Sequence, residues 1–151
     1  MIIHFICRGN AFRSIIAEAY LKSLRLNDVH VLSSGTVANL HKISNIPTFH
    51  TTMTLLQRHG IQQFAKSHYG DQLEQGRINT NDVTICLNRV VYNECQPIIT
   101  LPENPIVWNV SDFGEGGHIT KSEQERMLYA EEVYREITKN IDTLVHALKL
   151  K

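Results

Sequence analysis

"HFICRGNAFRSII", residues 4–16, decides how the rest of the chain is read. An apolar run (Ile2–Ile6) leads into Cys7. Gly9 follows two positions on, and Arg13 stands where a helical pattern begins. Short apolar runs of this kind make buried parallel strands. "SIIAEAYLKSLRL" then reads as a helix over 14–26, with Ile16, Tyr20 and Leu24 four apart and Ala17 and Leu21 widening the stripe. The octet from Cys7 to Ser14 is therefore a strand–loop–helix junction. Gly9 lets the backbone bend and approach a ligand closely. Successive N–H groups of such a loop form an anion nest, reinforced by the positive end of the following helix. That field favours a thiolate over a thiol at Cys7, and a thiolate on the floor of an oxyanion cradle is an activated nucleophile. Arg13 offers a two-pronged fork for two of the ligand's oxygens.

Downstream, apolar strands alternate with helices. Strands are expected at Val29–Leu32, Val83–Leu87 and Ile106–Val110, and a helix over 48–60 stopped by Gly60. Ser122 and Glu125 fit a capping box ahead of a last helix whose apolar face is Val133, Ile137, Ile141, Leu144 and Leu148. The order implies a single three-layer α/β domain over residues 1–151. A four-stranded parallel sheet carries helices on both faces, with the anion loop at the end of strand 1. Ligands of such sheets bind beyond the carboxyl ends of the strands, where Cys7 lies.

The bulk numbers exclude several function classes. Lys+Arg and Asp+Glu are 15 each, so no net field draws nucleic acid or an anionic membrane. Apolar content is 42%, that of an ordinary globular chain, with no run of membrane-spanning length and an opening too short for a signal peptide. Three cysteines, an odd number, give no disulfide framework, so a reducing cytoplasm is the expected location. The eight histidines show no metal-ligand spacing.

C-x5-R-S, as "CRGNAFRS", followed by "IIAEAYL", resembles the phosphate loop of the low-molecular-weight protein tyrosine phosphatases, whose fold and loop the thioredoxin-coupled arsenate reductases share. "SSGT" (33–36), "LLQRHGI", "NDVTICLN", "VWNVSDF" and the last helix extend the resemblance over most of the chain. It implies a cysteine-dependent phosphomonoester hydrolase, in all expectation a protein-tyrosine phosphatase, cytoplasmic, monomeric and without cofactor or metal. Cys7 would attack phosphorus and form a phosphocysteine. Arg13 would hold the equatorial oxygens, and Asp112 would protonate the leaving oxygen and then activate water. Arg8, Gly9, Asn10, Ala11 and Phe12 would line the loop. Asn10 would keep its shape, Ser14 would hydrogen-bond the thiolate, and Ser34 would brace Asn10. The partners implied are a phosphorylated protein or small aryl phosphate, with phosphate, sulfate or vanadate as ligands.

The sequence departs from the family pattern at four places. Asp112 lacks the usual following proline, and Phe113, Gly114 and Glu115 come next where aromatics are common, with Gly116 and Gly117 beyond. Phe12 stands in place of a second loop cysteine, and Arg8 in place of an apolar residue. Cys86 and Cys95 fall where arsenate reductases carry resolving cysteines, so two alternatives stay open. One is an arsenate reductase using Cys7, Cys86 and Cys95. The other is a non-catalytic phosphate- or phosphopeptide-binding module.

Overall fold

A computed structural model describes residues 1–41, 46–68, 70–112 and 122–151. The expectations placed on Phe113, Gly114, Glu115, Gly116, Gly117 and His118 lie outside the described residues. In chain order the elements are β1 (Ile2–Cys7), α1 (Arg13–Ser23), β2 (His30–Gly35), α2 (Ala38–His41), α3 (Ile46–Arg58), a 3-10 turn (Gln62–Phe64), α4 (Gln75–Ile78), β3 (Val83–Cys86), α5 (Arg89–Cys95), β4 (Ile106–Val107) and α6 (Glu123–Ala147).

The four strands are parallel and ordered β2-β1-β3-β4. The connection from β1 goes to one side and the next strand lies on the other, so the chain changes direction beside the end of β1. That is where doubly wound sheets open a crevice. β1 is buried from Ile3 to Cys7, which fits an apolar run with no alternating polar face. Ile3, Phe5 and Cys7 face the main core, built with α1, α3 and α6. Ile6 faces a smaller core with Leu73, Ile78, Cys86, Val91, Cys95 and Ile99. These are the expected three layers.

α6 buries Met127, Ala130, Val133, Ile137, Ile141 and Leu144, the helical spacing read from the sequence, and its N-cap Ser122 Oγ accepts from Glu125 N at 3.2 Å. Boundaries differ in detail. α1 ends at Ser23 because Arg25 takes a left-handed conformation, φ 51°. β4 has two residues rather than five, although Trp108 N and Val110 N still donate to Cys86 O and Leu87 O. α5 was not expected from the sequence; it is held by Asn88, whose Oδ1 accepts from Val91 N at 2.9 Å.

Candidate active site

The loop after β1 folds around its cysteine. Cys7 is 2% exposed, and its Sγ lies 2.9 Å from Ser14 Oγ and accepts from Asn10 N at 3.2 Å. Asn10, rather than Gly9, is the residue of the octet with positive φ, 49°, a conformation asparagine tolerates better than most. Its carboxamide is fully engaged. Nδ2 donates to Ser14 Oγ (2.7 Å) and Ser33 Oγ (2.9 Å), while Oδ1 accepts from Lys66 Nζ (3.0 Å) and Asp71 N (2.8 Å). Ser14 thus lies between the asparagine and the sulfur.

The brace assigned to Ser34 falls to Ser33 instead. In the parallel register Ser33 pairs with Phe5 and Ser34 with Ile6. Neighbouring strand residues face opposite sides, so Ser33 shares the Phe5 side with α1, where its Oγ also hydrogen-bonds Glu18. Ser34 faces the other way and meets His4 Nε2 at 2.8 Å. That ring is fully buried and 3.0 Å from Asn81 Nδ2. Burial, above all, pulls its pKa down to about 4, helped by the charges of Lys66 and Arg77 and opposed by hydrogen bonds to Arg77 and Asn81.

Two glycines act by absence of a side chain. A Cβ on Gly35 would sit 2.4 Å from Arg8 O and 2.8 Å from Asn10 N; one on Gly70 would sit 2.7 Å from both Asn10 Cβ and Gly9 O. The loop is thus clamped from behind by two backbone segments. Thr52 of α3 donates from Oγ1 to Ala11 O at 2.6 Å. Phe12, 2% exposed, packs beside Tyr129 with ring centroids 6.4 Å apart. Arg8 is half exposed, and its Nε pairs with Glu94 Oε1 at 2.8 Å. The other Glu94 oxygen accepts from Thr36 Oγ1 at 2.7 Å. Lys66, Gly70 and Asp71 had no local signal in the sequence, because each works from a segment distant in the chain.

The front of the loop is different in kind. Arg13 is 1% exposed, and its Nη1 donates to Val110 O at 2.8 Å. Nη2 is 3.1 Å from Asp112 Oδ2, but its N–H is not aligned on that oxygen, and neither Nε nor Nη2 has a hydrogen-bond acceptor among the described residues. The structure thus brings Arg13, the first residue of α1, against Val110 and Asp112 in the segment after β4. A buried guanidinium with unaligned donors, six residues after a cysteine, is the chemistry of an oxyanion site. No group of three or more His, Cys, Asp or Glu among the described residues could hold a metal ion. No described helix is long and apolar enough to cross a membrane.

Cys86 and Cys95 lie apart from this pocket. Cys86 pairs with Ile6, and both thiols are buried in the smaller core. Their mutual hydrogen bond, with burial added, pushes the Cys95 thiol up.

The fold recurs in known proteins. The model of the family described as low molecular weight phosphotyrosine protein phosphatase matches residues 2–151. The Drosophila arginine phosphatase DARP superposes with a TM-score of 0.73 at 18% identity, covering 99% of this chain and 98% of its own. SP-PTP, the low molecular weight protein tyrosine phosphatase of Streptococcus pyogenes, gives 0.70 at 21%, covering 97% and 92%. Wzb of Vibrio vulnificus, solved with benzylphosphonate, gives 0.70 at 15%, covering 92% and 94%. No match is found among curated protein sequences. With the family match running over nearly the whole length and the loop geometry in place, this chain belongs to the low molecular weight phosphotyrosine protein phosphatase family.

Proposed function

We propose that the protein is a protein-tyrosine phosphatase that works through a phosphocysteine. The observation that carries this reading is the buried Arg13 fork, ion-paired with Asp112 and with two donors that lack an aligned acceptor among the described residues, in the loop that begins at Cys7. In the reaction, the Cys7 thiolate attacks phosphorus in line. A sulfur–phosphorus bond forms as the phosphorus–oxygen bond to the leaving group breaks. Nε and Nη2 of Arg13, with the loop amides, hold the equatorial oxygens as their charge grows. Asp112, protonated, gives its proton to the leaving oxygen. As carboxylate it then takes a proton from the water that cleaves the sulfur–phosphorus bond, releasing phosphate and restoring the thiolate. The depth of Cys7 favours a phosphate carried on a long stem. On this reading phosphotyrosine is the expected substrate, and phosphoarginine is the rival.

The arsenate-reductase reading has less support. A relay from Cys7 must reach thiols that sit on the opposite face of the sheet, beside Ile6.

The test is hydrolysis of p-nitrophenyl phosphate and of matched phosphotyrosine, phosphoarginine and phosphoserine peptides. Cys7→Ser is expected to abolish turnover while phosphate still binds. Asp112→Asn is expected to lower kcat by roughly 10²-fold or more on phosphotyrosine. Binding without turnover in the wild type would leave only the binding-module reading. A preference for phosphoarginine would overturn the tyrosine assignment and keep the chemistry. Arsenate-dependent thiol oxidation that needs Cys86 and Cys95 would overturn both.

A further inference from the structure

Behind the loop lies a lysine that the proposed reaction does not use. The Lys66 side chain is 8% exposed. Its Nζ donates to Asn10 Oδ1 (3.0 Å), to Ser33 O (3.2 Å) and to Asp71 Oδ2 (2.9 Å), and lies 3.6 Å from Glu18 Oε2. We propose that Lys66 is a positioning residue for the nucleophile. It fixes the direction of a hydrogen-bond chain that ends on Cys7 Sγ and so keeps that sulfur an acceptor, the thiolate form. The proposal rests on the reading of Cys7 as the nucleophile.

An ammonium has only hydrogens to offer, and so does the Asp71 amide. Both face the same atom of Asn10, which must be the carbonyl oxygen. The amide nitrogen is thereby turned toward the two serines, to which it can only donate. Ser14 Oγ receives one of those hydrogens, leaving its own hydroxyl hydrogen for the partner 2.9 Å away, Cys7 Sγ. Asn10 N gives the sulfur a second hydrogen. A sulfur that receives two hydrogens is stabilised as the anion. The other branch agrees in direction: Ser33 accepts from Asn10 and donates to Glu18. Each donor in such a chain polarises the next, so the charge at Lys66 strengthens the bond at the far end.

The charged and titratable groups around this chain are known. Glu18 and Asp71 face Lys66. Lys22 pairs with Glu18 at 2.5 Å, and His68 and Arg77 lie beside Asp71 at 3.2 and 3.7 Å. Burial pushes the Asp71 carboxyl up, but the hydrogen bond and charge of Lys66, with His68 and Arg77, bring it to about 2. Asp71 therefore keeps its charge through the range in which a cysteine is assayed. Arg13 and Asp112 face the front of the loop.

The experiment is the rate of Cys7 alkylation by iodoacetamide from pH 5 to 9. It is followed by mass spectrometry in the full chain, with Cys7→Ser as the blank for the buried Cys86 and Cys95. Lys66→Met is expected to slow alkylation at pH 6 about tenfold, with the loss recovered as pH rises. His68→Asn is expected to leave the profile unchanged and so removes the histidine's own titration as the cause. A Lys66→Met protein that melts earlier but alkylates at the wild-type rate across the series would overturn the proposal and make Lys66 a packing residue. If that variant does not fold, Lys66→Gln, which keeps a donor and loses the charge, gives the same readout. It is expected to be displaced in the same direction, and an unmoved profile overturns the charge argument. The readout needs no substrate. If wild-type turnover is lost in Cys7→Ser while Lys66→Met alkylates normally, the phosphatase reading survives and this one does not.

Discussion

Asn10 and Arg13 sit three residues apart in one loop, both buried, and their polar atoms end in opposite ways. Every hydrogen-bonding atom of the Asn10 carboxamide meets a protein partner, and its backbone N–H meets the sulfur. Arg13 spends one nitrogen on Val110 O and keeps two without an aligned acceptor among the described residues. Buried polar groups are nearly always satisfied, and an unsatisfied one costs roughly 1–3 kcal/mol or more if charged. The rear of the loop is thus a finished scaffold, and the front keeps two Arg13 donors without an aligned acceptor among the described residues, with Asp112 beside them. The lesson is a division of labour: the rear sets the shape of the cradle, and the front supplies binding and charge.

The sharpest way to break that comparison is to remove each residue and read stability and activity together. Arg13→Met keeps much of the volume and removes a buried, partly unsatisfied charge. It is expected to cost 10²–10³-fold or more in kcat/KM on an aryl phosphate, because the equatorial oxygens lose their fork. Its urea midpoint is expected to stay at or above that of the wild type, since burying a charge for function does not stabilise the fold. Asn10→Ala is expected to lose both. It strands Lys66 Nζ and Asp71 N without their acceptor, at a cost of roughly 1–3 kcal/mol, and the left-handed turn no longer holds its N–H on Cys7. If Arg13→Met unfolds as readily as Asn10→Ala, the front is scaffold too, and the contrast fails.

His4 tests the far side of β1. Its imidazole stays neutral in the fold down to about pH 4, whereas an unfolded histidine takes up a proton near pH 6.5. Between those values the unfolded chain binds more protons, so stability rises with pH there and is lost as pH falls from 6.5 toward 4. Below 4 both states are protonated and the slope vanishes. The total is on the order of 3 kcal/mol. Denaturant midpoints measured across this range should show the slope in the wild type and a flatter curve in His4→Gln. An equal slope in both would assign the acid sensitivity elsewhere.

What the sequence made legible follows from how local each signal is. The octet could be read because its parts are adjacent: a strand, a cysteine, an asparagine and an arginine at the start of a helix. α6 could be read because one apolar face repeats through 25 residues. The rear of the loop could not, because Lys66, Asp71 and Gly70 arrive from a connection with no periodicity. Gly35 is indistinguishable in sequence from an ordinary turn glycine until the backbone 2.4 Å from its missing Cβ is known. α5 was hidden by Val90 and Val91, β-branched residues that weaken a helical pattern. In "SSGT" the residues were right and the facing was wrong, since two adjacent serines differ only in which side of the sheet each takes.

That pair gives the finest test, because the chemistry removed is the same hydroxyl at neighbouring positions. Ser33→Ala takes an acceptor from Asn10 Nδ2 and a donor from Glu18, both on the α1 side. The asparagine keeps its bonds to Ser14, Lys66 and Asp71, so the loop should hold with a looser carboxamide. The expected result is a kcat lowered about tenfold and stability lowered by about 1 kcal/mol. Ser34→Ala removes only the partner of His4 Nε2, two residues behind the loop's own hydrogen bonds. Stability should fall by a similar amount, while kcat stays within about twofold of the wild type. Steady-state kinetics beside urea titrations separate the two. Should Ser34→Ala be the slower enzyme, the strand register that assigns Ser33 to the loop side would be off by one residue.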